Sequence, residues 1–179
     1  RFFAKNGNLR LGGPLPTRTD QIWVGDLTYL RLGKRWRYLA TVMDLFSRRI
    51  VGWTLARNRT TEVTLRALKR AIAARGPAPG LLFHTDRGIE YSAYGYQDFL
   101  KANGIVPSMN RPRHCQDNAH MESFFHSLKA ELTHRRSYAS DAELNASIAG
   151  YIDRSYNQKR IHSSLGYHSP VEYERLVNA

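Results

Sequence analysis

The sequence predicts a single α/β domain built on an antiparallel meander, and three observations carry that prediction. Apolar and aromatic residues fill three successive stretches, 21–30, 36–45 and 49–55, whose connections are short enough to make them antiparallel neighbours. Two shorter apolar runs, 81–84 and 105–107, each follow a stretch of helical periodicity. Residues 117–132, DNAHMESFFHSLKAEL, set Met121, Phe124, Phe125, Leu128 and Leu132 on one helical stripe that must dock on a core.

Residues 1–20 show no sustained period and hold Gly7, Gly12, Gly13, Pro14 and Pro16 among scattered basic side chains, the composition of a linker or arm. Ile22, Trp23, Val24, Leu27, Tyr29 and Leu30 then form the first strand, and Gly33 with Lys34 turns the chain into the second. Asp26 stands in the middle of the first strand, where a carboxylate is costly unless a cation or a donor meets it. Thr60 or Thr61 is expected to cap a helix whose stripe, Val63, Leu65, Leu68, Ile72 and Ala73, ends at Gly76 and Pro77. The run 81–84 stops abruptly at Thr85, Asp86, Arg87 and Gly88, as a buried parallel strand does at its carboxyl edge, where open α/β sheets place ligands. A second helix over 92–103 leads through Gly104 to the strand 105–107. Residues 108–116, with Arg111, Arg113 and His114, read as a mobile basic loop. Asp117 is expected to cap the helix 117–132, and 141–156 form a further helix before a polar tail.

Along the flank of the apolar stripe, Asn118, Glu122, His126 and Lys129 recur four, four and three residues apart, so a carboxylate and an ammonium share a face. A lone helix glutamate is ordinarily solvated, and a lone strand aspartate is ordinarily a satisfied structural group. The element order, however, brings Asp26, Asp86 and Glu122 to one edge of the sheet. Bare carboxylates gathered there repel one another, whereas a divalent ion makes the cluster favourable, and all-oxygen donors select Mg²⁺ or Mn²⁺.

Lys and Arg number 27 against 15 Asp and Glu, a net charge of +12 with a pI near 10.2. That excess favours a nucleic acid over a membrane surface, since there is neither a basic amphipathic anchor nor a run of about 18 apolar residues. The single Cys115 excludes an intrachain disulfide and paired-cysteine zinc sites, and fits a reducing cytosol. A chain of 179 residues suffices for one domain with a sizeable core, and its opening on Arg1 is expected of a piece of a longer polypeptide.

Four blocks stand in order over about 21–173: WVGDLTYL around Asp26, HTDRGIEY around Asp86, DNAHMESFFHSLKAEL around Glu122, and YNQKRIHSSLGYHSP near the end, with thirty-five residues between Asp86 and Glu122. This pattern resembles the catalytic domain of the retroviral-integrase superfamily, and within it the insertion-sequence transposases translated by fusing two overlapping frames. The resemblance implies a ribonuclease-H-like fold, a five-stranded mixed sheet (three strands antiparallel, two parallel) flanked by helices. Its core would span about 21–135 and a C-terminal helical extension about 136–179. It further implies two Mg²⁺ or Mn²⁺ ions, with Asp26 bridging both, Asp86 holding one and Glu122 the other. The chemistry would be cleavage of a phosphodiester at the transposon end, then attack of the freed 3′ hydroxyl on a second strand without a covalent protein intermediate.

In the family Lys129 would touch DNA. Arg87, Arg111, Arg113, Asn118, Lys159 and Arg160 are candidate DNA contacts, and His84, Asn157 and His162 candidate supporting residues, with Tyr156, Asn157, Arg160 and His162 in a block expected to pack or clamp near the site. A homo-oligomer on DNA in the bacterial cytoplasm is expected, the family's N-terminal helix-turn-helix region lying outside this chain. Two departures stand out: Ile89 and Glu90 replace a common Ser-Gln pair, and Arg113 and His114 a common Gly-Asn pair. A nuclease of the same fold that only hydrolyses, and a non-catalytic nucleic-acid-binding module, are the competing readings.

Overall fold

Alternation of side chains along one long strand decides the layering. The computed structural model describes residues 7–133 and 136–179, without the side chains of Cys115 and Gln116, so the first six residues of the expected arm lie outside the described residues. Strand β1 (Ile22–Leu32) pairs antiparallel with β2 (Arg35–Asp44), and β2 with β3 (Ile50–Ala56), which is the expected meander. On the other side β1 pairs parallel with β4 (Leu82–Thr85), and β4 parallel with β5 (Val106–Met109). The sheet order is β3-β2-β1-β4-β5, the five-stranded mixed sheet that the resemblance implies.

Because successive β1 side chains face opposite ways, Trp23 and Val24 enter two different cores. Trp23 joins Val42, Phe83, Tyr96 and Leu100 under helix α1 (Thr61–Arg75), which contributes Val63 and Leu68. Val24 joins Leu30, Leu39 and Met43 under helix α4 (Ala119–Leu128), which contributes Met121, Phe124 and Leu128. Each such side chain stabilises the fold by roughly 1.5–3 kcal/mol when fully buried. The first core is closed hard against the sheet: a Cβ on Gly52 of β3 would lie 2.4 Å from the Ala67 carbonyl oxygen of α1, so only glycine admits the helix at that distance.

Several boundaries differ from expectation. Thr60 occupies the position before α1, but its hydroxyl makes no capping bond. The helix ends as expected at Gly76, at φ 54° with its N–H on Ile72 O. The helix expected over 92–103 is two: a turn α2 (Ile89–Ser92) and α3 (Tyr94–Ala102), separated by Ala93 in an extended conformation. Strand β5 runs on to Met109, taking Ser108 and Met109 out of the expected loop, because β4 supplies partners as far as Thr85.

The helix expected over 117–132 begins at Ala119 after a 3₁₀ turn, Cys115–Asn118, and passes into a π-helical turn, Lys129–Thr133. Asp117 does not cap it, since its carboxylate is held elsewhere. The expected stripe is intact, with Met121, Phe124, Phe125, Leu128 and Leu132 all buried. Helix α5 (Asp141–Gly150) likewise continues as a π-helical segment, Tyr151–Tyr156, and adds Leu144, Ile148, Ile152 and Tyr156 to the α4 core. The tail forms a 3₁₀ turn, Ser163–Leu165, and helix α6 (Pro170–Val177), capped by Ser169. Among the described residues no helix is long and apolar enough to cross a membrane.

Candidate active site

Parallel pairing of β1 with β4 ends at Gly25 opposite Thr85, so Asp26, in the middle of β1, and Asp86, just past the end of β4, stand side by side one step beyond the last pair. A Cβ on Gly25 would meet the Phe83 ring at 2.5 Å, which keeps β1 and β4 closely packed beneath them. Asp26 falls on the α4 face by strand alternation, and its Oδ1 accepts from Leu27 N at 2.7 Å. Asp86 Oδ1 accepts from Gly88 N at 2.9 Å. Glu122 lies exposed in the first turn of α4.

Burial above all, then the Asp86 carboxylate, push Asp26 up to about 7. The Leu27 N–H opposes this, Glu122 adds to it, and the Arg59 guanidinium opposes it further. Asp86 is also raised, by burial and by Glu90, against the Gly88 N–H and Arg59. Asp26 thus feels both other acids, Asp86 more strongly than Glu122. Among the described residues no three His, Cys, Asp or Glu side chains are gathered into a ready-made ligand set. By donor chemistry the acids fit a hard divalent cation: all donors are carboxylate oxygens, and both the burial and the mutual repulsion that raise Asp26 are offset by such a cation.

The two departures noted in the sequence acquire physical explanations. Ile89 faces solvent, whereas Glu90 is 3% exposed and forms an ion pair with Arg59 through Nε, with Nη2 donating to Oε2 at 3.1 Å. The extra acid is therefore neutralised inside the protein, and its partner sits within the field of Asp26 and Asp86. Arg113, where relatives commonly carry glycine, adopts φ 64°, the left-handed conformation that glycine takes without strain.

Around the acids the expected DNA contacts divide. Lys129 has its Nζ 4.7 Å from the centre of the Tyr29 ring. Burial lowers its pKa against the opposing pull of the Asp26 carboxylate. Arg87, Arg111 and Arg113 border Asp86 in an open cavity of about 380 Å³ with Asn110 and His114. Within it Arg87 Nε donates to Asn110 O at 2.6 Å. Arg111 is tied to Asp117, through its backbone N at 2.9 Å and Nη2 at 2.9 Å.

Asn118 is buried, and its amide donates to Gly25 O at 3.1 Å, fastening the start of α4 to the strand beside Asp26. Arg160 is held away from the acids by Glu131 at 2.5 Å and Ser127 at 3.1 Å. His84 is fully buried between Ser108 Oγ at 2.8 Å and Asn110 Oδ1 at 2.7 Å. The amide oxygen only accepts, so Nε2 carries the proton and Nδ1 accepts from the Ser108 hydroxyl. Asn157 braces the opposite edge of the sheet at Ile50, and His162 packs on Tyr156.

Three contributors escape sequence reasoning. Asn8 Nδ2 donates to Asp117 Oδ2 at 2.8 Å and Arg10 Nη1 to Asp117 O at 3.1 Å, so the expected arm grips the turn that precedes α4. Met109 N donates to Gly7 O at 3.1 Å alongside. Arg59 carries no sequence signal beyond its charge.

The chain matches the integrase core domain family over residues 16–115, and a second family described as integrase core domain over 103–170. It is 41% identical over 155 residues to the transposase InsF for insertion sequence IS3A of Escherichia coli K12, covering 87% of this chain and 54% of that one. It is 38% identical over 159 residues to the transposase for insertion sequence element IS904 of Lactococcus lactis, covering 89% and 63%. The chain thus spans between about half and just under two thirds of these relatives.

Among solved structures, a chain of the simian T-cell lymphotropic virus intasome in complex with PP2A regulatory subunit B56 gamma is similar with a TM-score of 0.70 at 17% identity, covering 94% of this chain and 58% of that one. The HTLV-2 integrase catalytic core domain in complex with magnesium is similar with a TM-score of 0.66 at 18% identity, covering 88% and 98%. At these identities the likeness is one of fold, the ribonuclease-H-like fold expected from the sequence.

Proposed function

Since the chain belongs to the integrase core domain family, we propose that it is the catalytic core of a DNA transposase, cutting phosphodiesters at transposon ends and joining the freed 3′ hydroxyl to target DNA. Residues 21–179 form the catalytic unit in this reading, with 1–20 an arm ahead of it. One observation carries the proposal. The β1–β4 pairing sets Asp26 and Asp86 next to one another, and Glu122 stands in the first turn of the helix packed on the Val24 face of β1, which supports assigning the family's three acids to one site.

Asp26, Asp86 and Glu122 would hold Mg²⁺ or Mn²⁺, two ions in the active complex. When bound, such ions supply Lewis acidity toward the phosphodiester and a lowered pKa for an attacking water. The protein's own part is positioning. Adjacent strands fix Asp26 beside Asp86, Asn118 ties the start of α4 to Gly25, and Arg59 with its Glu90 partner offsets part of the negative field. Lys129 and the arginines bordering Asp86 supply cations for the DNA backbone, and the chain's net charge of +12 favours association with DNA, on which a homo-oligomer assembles.

The test uses labelled duplexes with and without a pre-cut 3′ end, incubated with Mg²⁺ or Mn²⁺. Cleaved and joined products are expected, both falling to background in Asp26→Asn. Metal-dependent products that persist in Asp26→Asn overturn the site. Cleavage with no joined strand from the pre-cut substrate would make the protein a hydrolytic nuclease instead.

A further inference from the structure

The turn between β2 and β3 places Arg48 at φ 64°, a left-handed conformation that strains a residue with a Cβ. Its side chain enters a cavity of about 210 Å³, bordered also by His120 and Ser123 of α4 and by Tyr156, His162 and Ser164 of the C-terminal segment. Among the described residues, neither Nη1 of Arg48 nor Nε2 of His162 has a hydrogen-bond partner, although both atoms are shut off from solvent. Buried polar atoms are nearly always paired, and an orphaned one is costly, most of all on a charged group. Strain and unmet polar groups at one place are the mark of a site whose complement is a ligand.

The chemistry of the lining says which ligand. Arg48 brings a guanidinium and His162 a ring nitrogen, while the exposed Ser123 and Ser164 add hydroxyl groups at the mouth. Among the described residues no carboxylate borders the cavity. The acid that bears on Arg48 from its own turn, Asp44, is already engaged by the N–H groups of Asp20, Phe46 and Ser47. Burial, then Arg160 and Arg48, hold the His162 pKa down, the response of a group in a positive field. The walls are also fixed. His162 N donates to His168 O at 3.1 Å, its ring meets Tyr156 edge-on at 5.3 Å, and Tyr156 meets Phe124 of α4 at 4.8 Å.

We propose that this cavity is a phosphate site which holds one backbone phosphodiester of bound DNA, with Arg48 as its principal donor and His162 and the two serine hydroxyls as its frame. His120 and Ser123 stand about 200° and 100° around α4 from Glu122. A phosphate here therefore lies off the acid edge and anchors DNA without reacting. The inference rests on the reading of the chain as a DNA-acting core.

The experiment measures binding of a fluorescein-labelled duplex by anisotropy in EDTA over a series of salt concentrations, for the wild type, Arg48→Gln and Ser164→Asp. Thermal melting accompanies it, with inorganic phosphate compared against chloride at equal ionic strength. Loss of one phosphate contact should lower the slope of log K against log salt by about one and weaken binding about tenfold in Arg48→Gln. Ser164→Asp, an exposed change that leaves the fold intact, should weaken binding while melting like the wild type.

Wild-type affinity and slope in both variants overturn the proposal, the cavity then holding ordered water only. Phosphate that stabilises the wild type but not Arg48→Gln, with DNA binding unchanged in both variants, overturns the DNA assignment in favour of a free-anion site. A wild type that binds no DNA overturns this inference and the DNA reading together, whereas a wild type that binds while the variants match it overturns the inference alone.

Discussion

Asn157 offers the sharpest test of how the C-terminal segment serves the site. Strand β3 is an outer strand, and its free edge at Ile50 is closed by a side chain instead of another strand. Asn157 Oδ1 accepts from Ile50 N at 2.9 Å and Asn157 Nδ2 donates to Ile50 O at 3.0 Å, all of it buried. Leucine at 157 fills similar space but leaves one backbone donor and one acceptor without partners, each costing about 1–3 kcal/mol. The expected loss for Asn157→Leu is therefore about 2–6 kcal/mol, a fall in Tm of roughly 4–24 °C for a chain of this size. Asn157→Asp keeps the acceptor but sets a carboxylate oxygen against the Ile50 carbonyl, and a loss of similar size is expected. Urea unfolding checks both, with the slope against denaturant unchanged. A loss below about 0.5 kcal/mol would refute the argument. So would a normally stable variant that had lost DNA cleavage, since Asn157 would then act in the reaction and not in the fold.

Two further outcomes follow from ion pairs. Burial raises the proton affinity of Glu174 on α6, but hydrogen bonds from Arg75, Arg49 and Ser47 outweigh it and leave the carboxyl below its usual 4.5. Its stabilisation is present above that pH and lost as pH falls, because the unfolded chain takes up the proton first. Glu174→Gln should accordingly be less stable than the wild type at pH 7, by about 2 kcal/mol, and the gap should narrow in melts taken below about pH 4.5. A gap independent of pH would refute the assignment. At the acid edge, Arg59→Ala strands the buried Glu90 carboxylate. Since the Arg59 side chain is 52% exposed, about 2 kcal/mol is expected, below the roughly 3–5 of a fully buried pair. Adding Glu90→Gln should restore most of that in thermal melts, and no recovery in the double variant would show that the pair is not the cause.

What could be read from the sequence was what local chemistry decides. The α4 stripe appeared because five apolar residues recur at helical spacing, and all five are buried. Asp26 and Asp86 fell together because each sits at a nameable point of its strand and parallel pairing aligns them. What stayed hidden depends on partners distant along the chain. Asp117 looked like a cap, but Asn8, 109 residues away, and Arg111 take its carboxylate, so α4 starts later. Strand β5 reaches Met109 because β4 dictates the register, a fact absent from the 105–109 segment itself. For His84 and Asn157, expected as supporting residues, the partners are likewise distant along the chain: Ser108 and Asn110 for the histidine, Ile50 for the asparagine.

Asp117 also bears on how the site tolerates error. A vice has one fixed jaw and one that travels. Asp26 and Asp86 ride on the fixed jaw, neighbouring strands locked by Gly25 against Phe83 and backed by a helix pressed onto Gly52. Glu122 rides on the other, set by the Asn118 bond to Gly25 and by a knot in which Asn8, Arg10 and Arg111 converge on Asp117 five residues upstream. Each strand of that knot contributes about 1 kcal/mol, small beside the packing that holds the sheet. Whatever loosens the knot moves one jaw and leaves the other true.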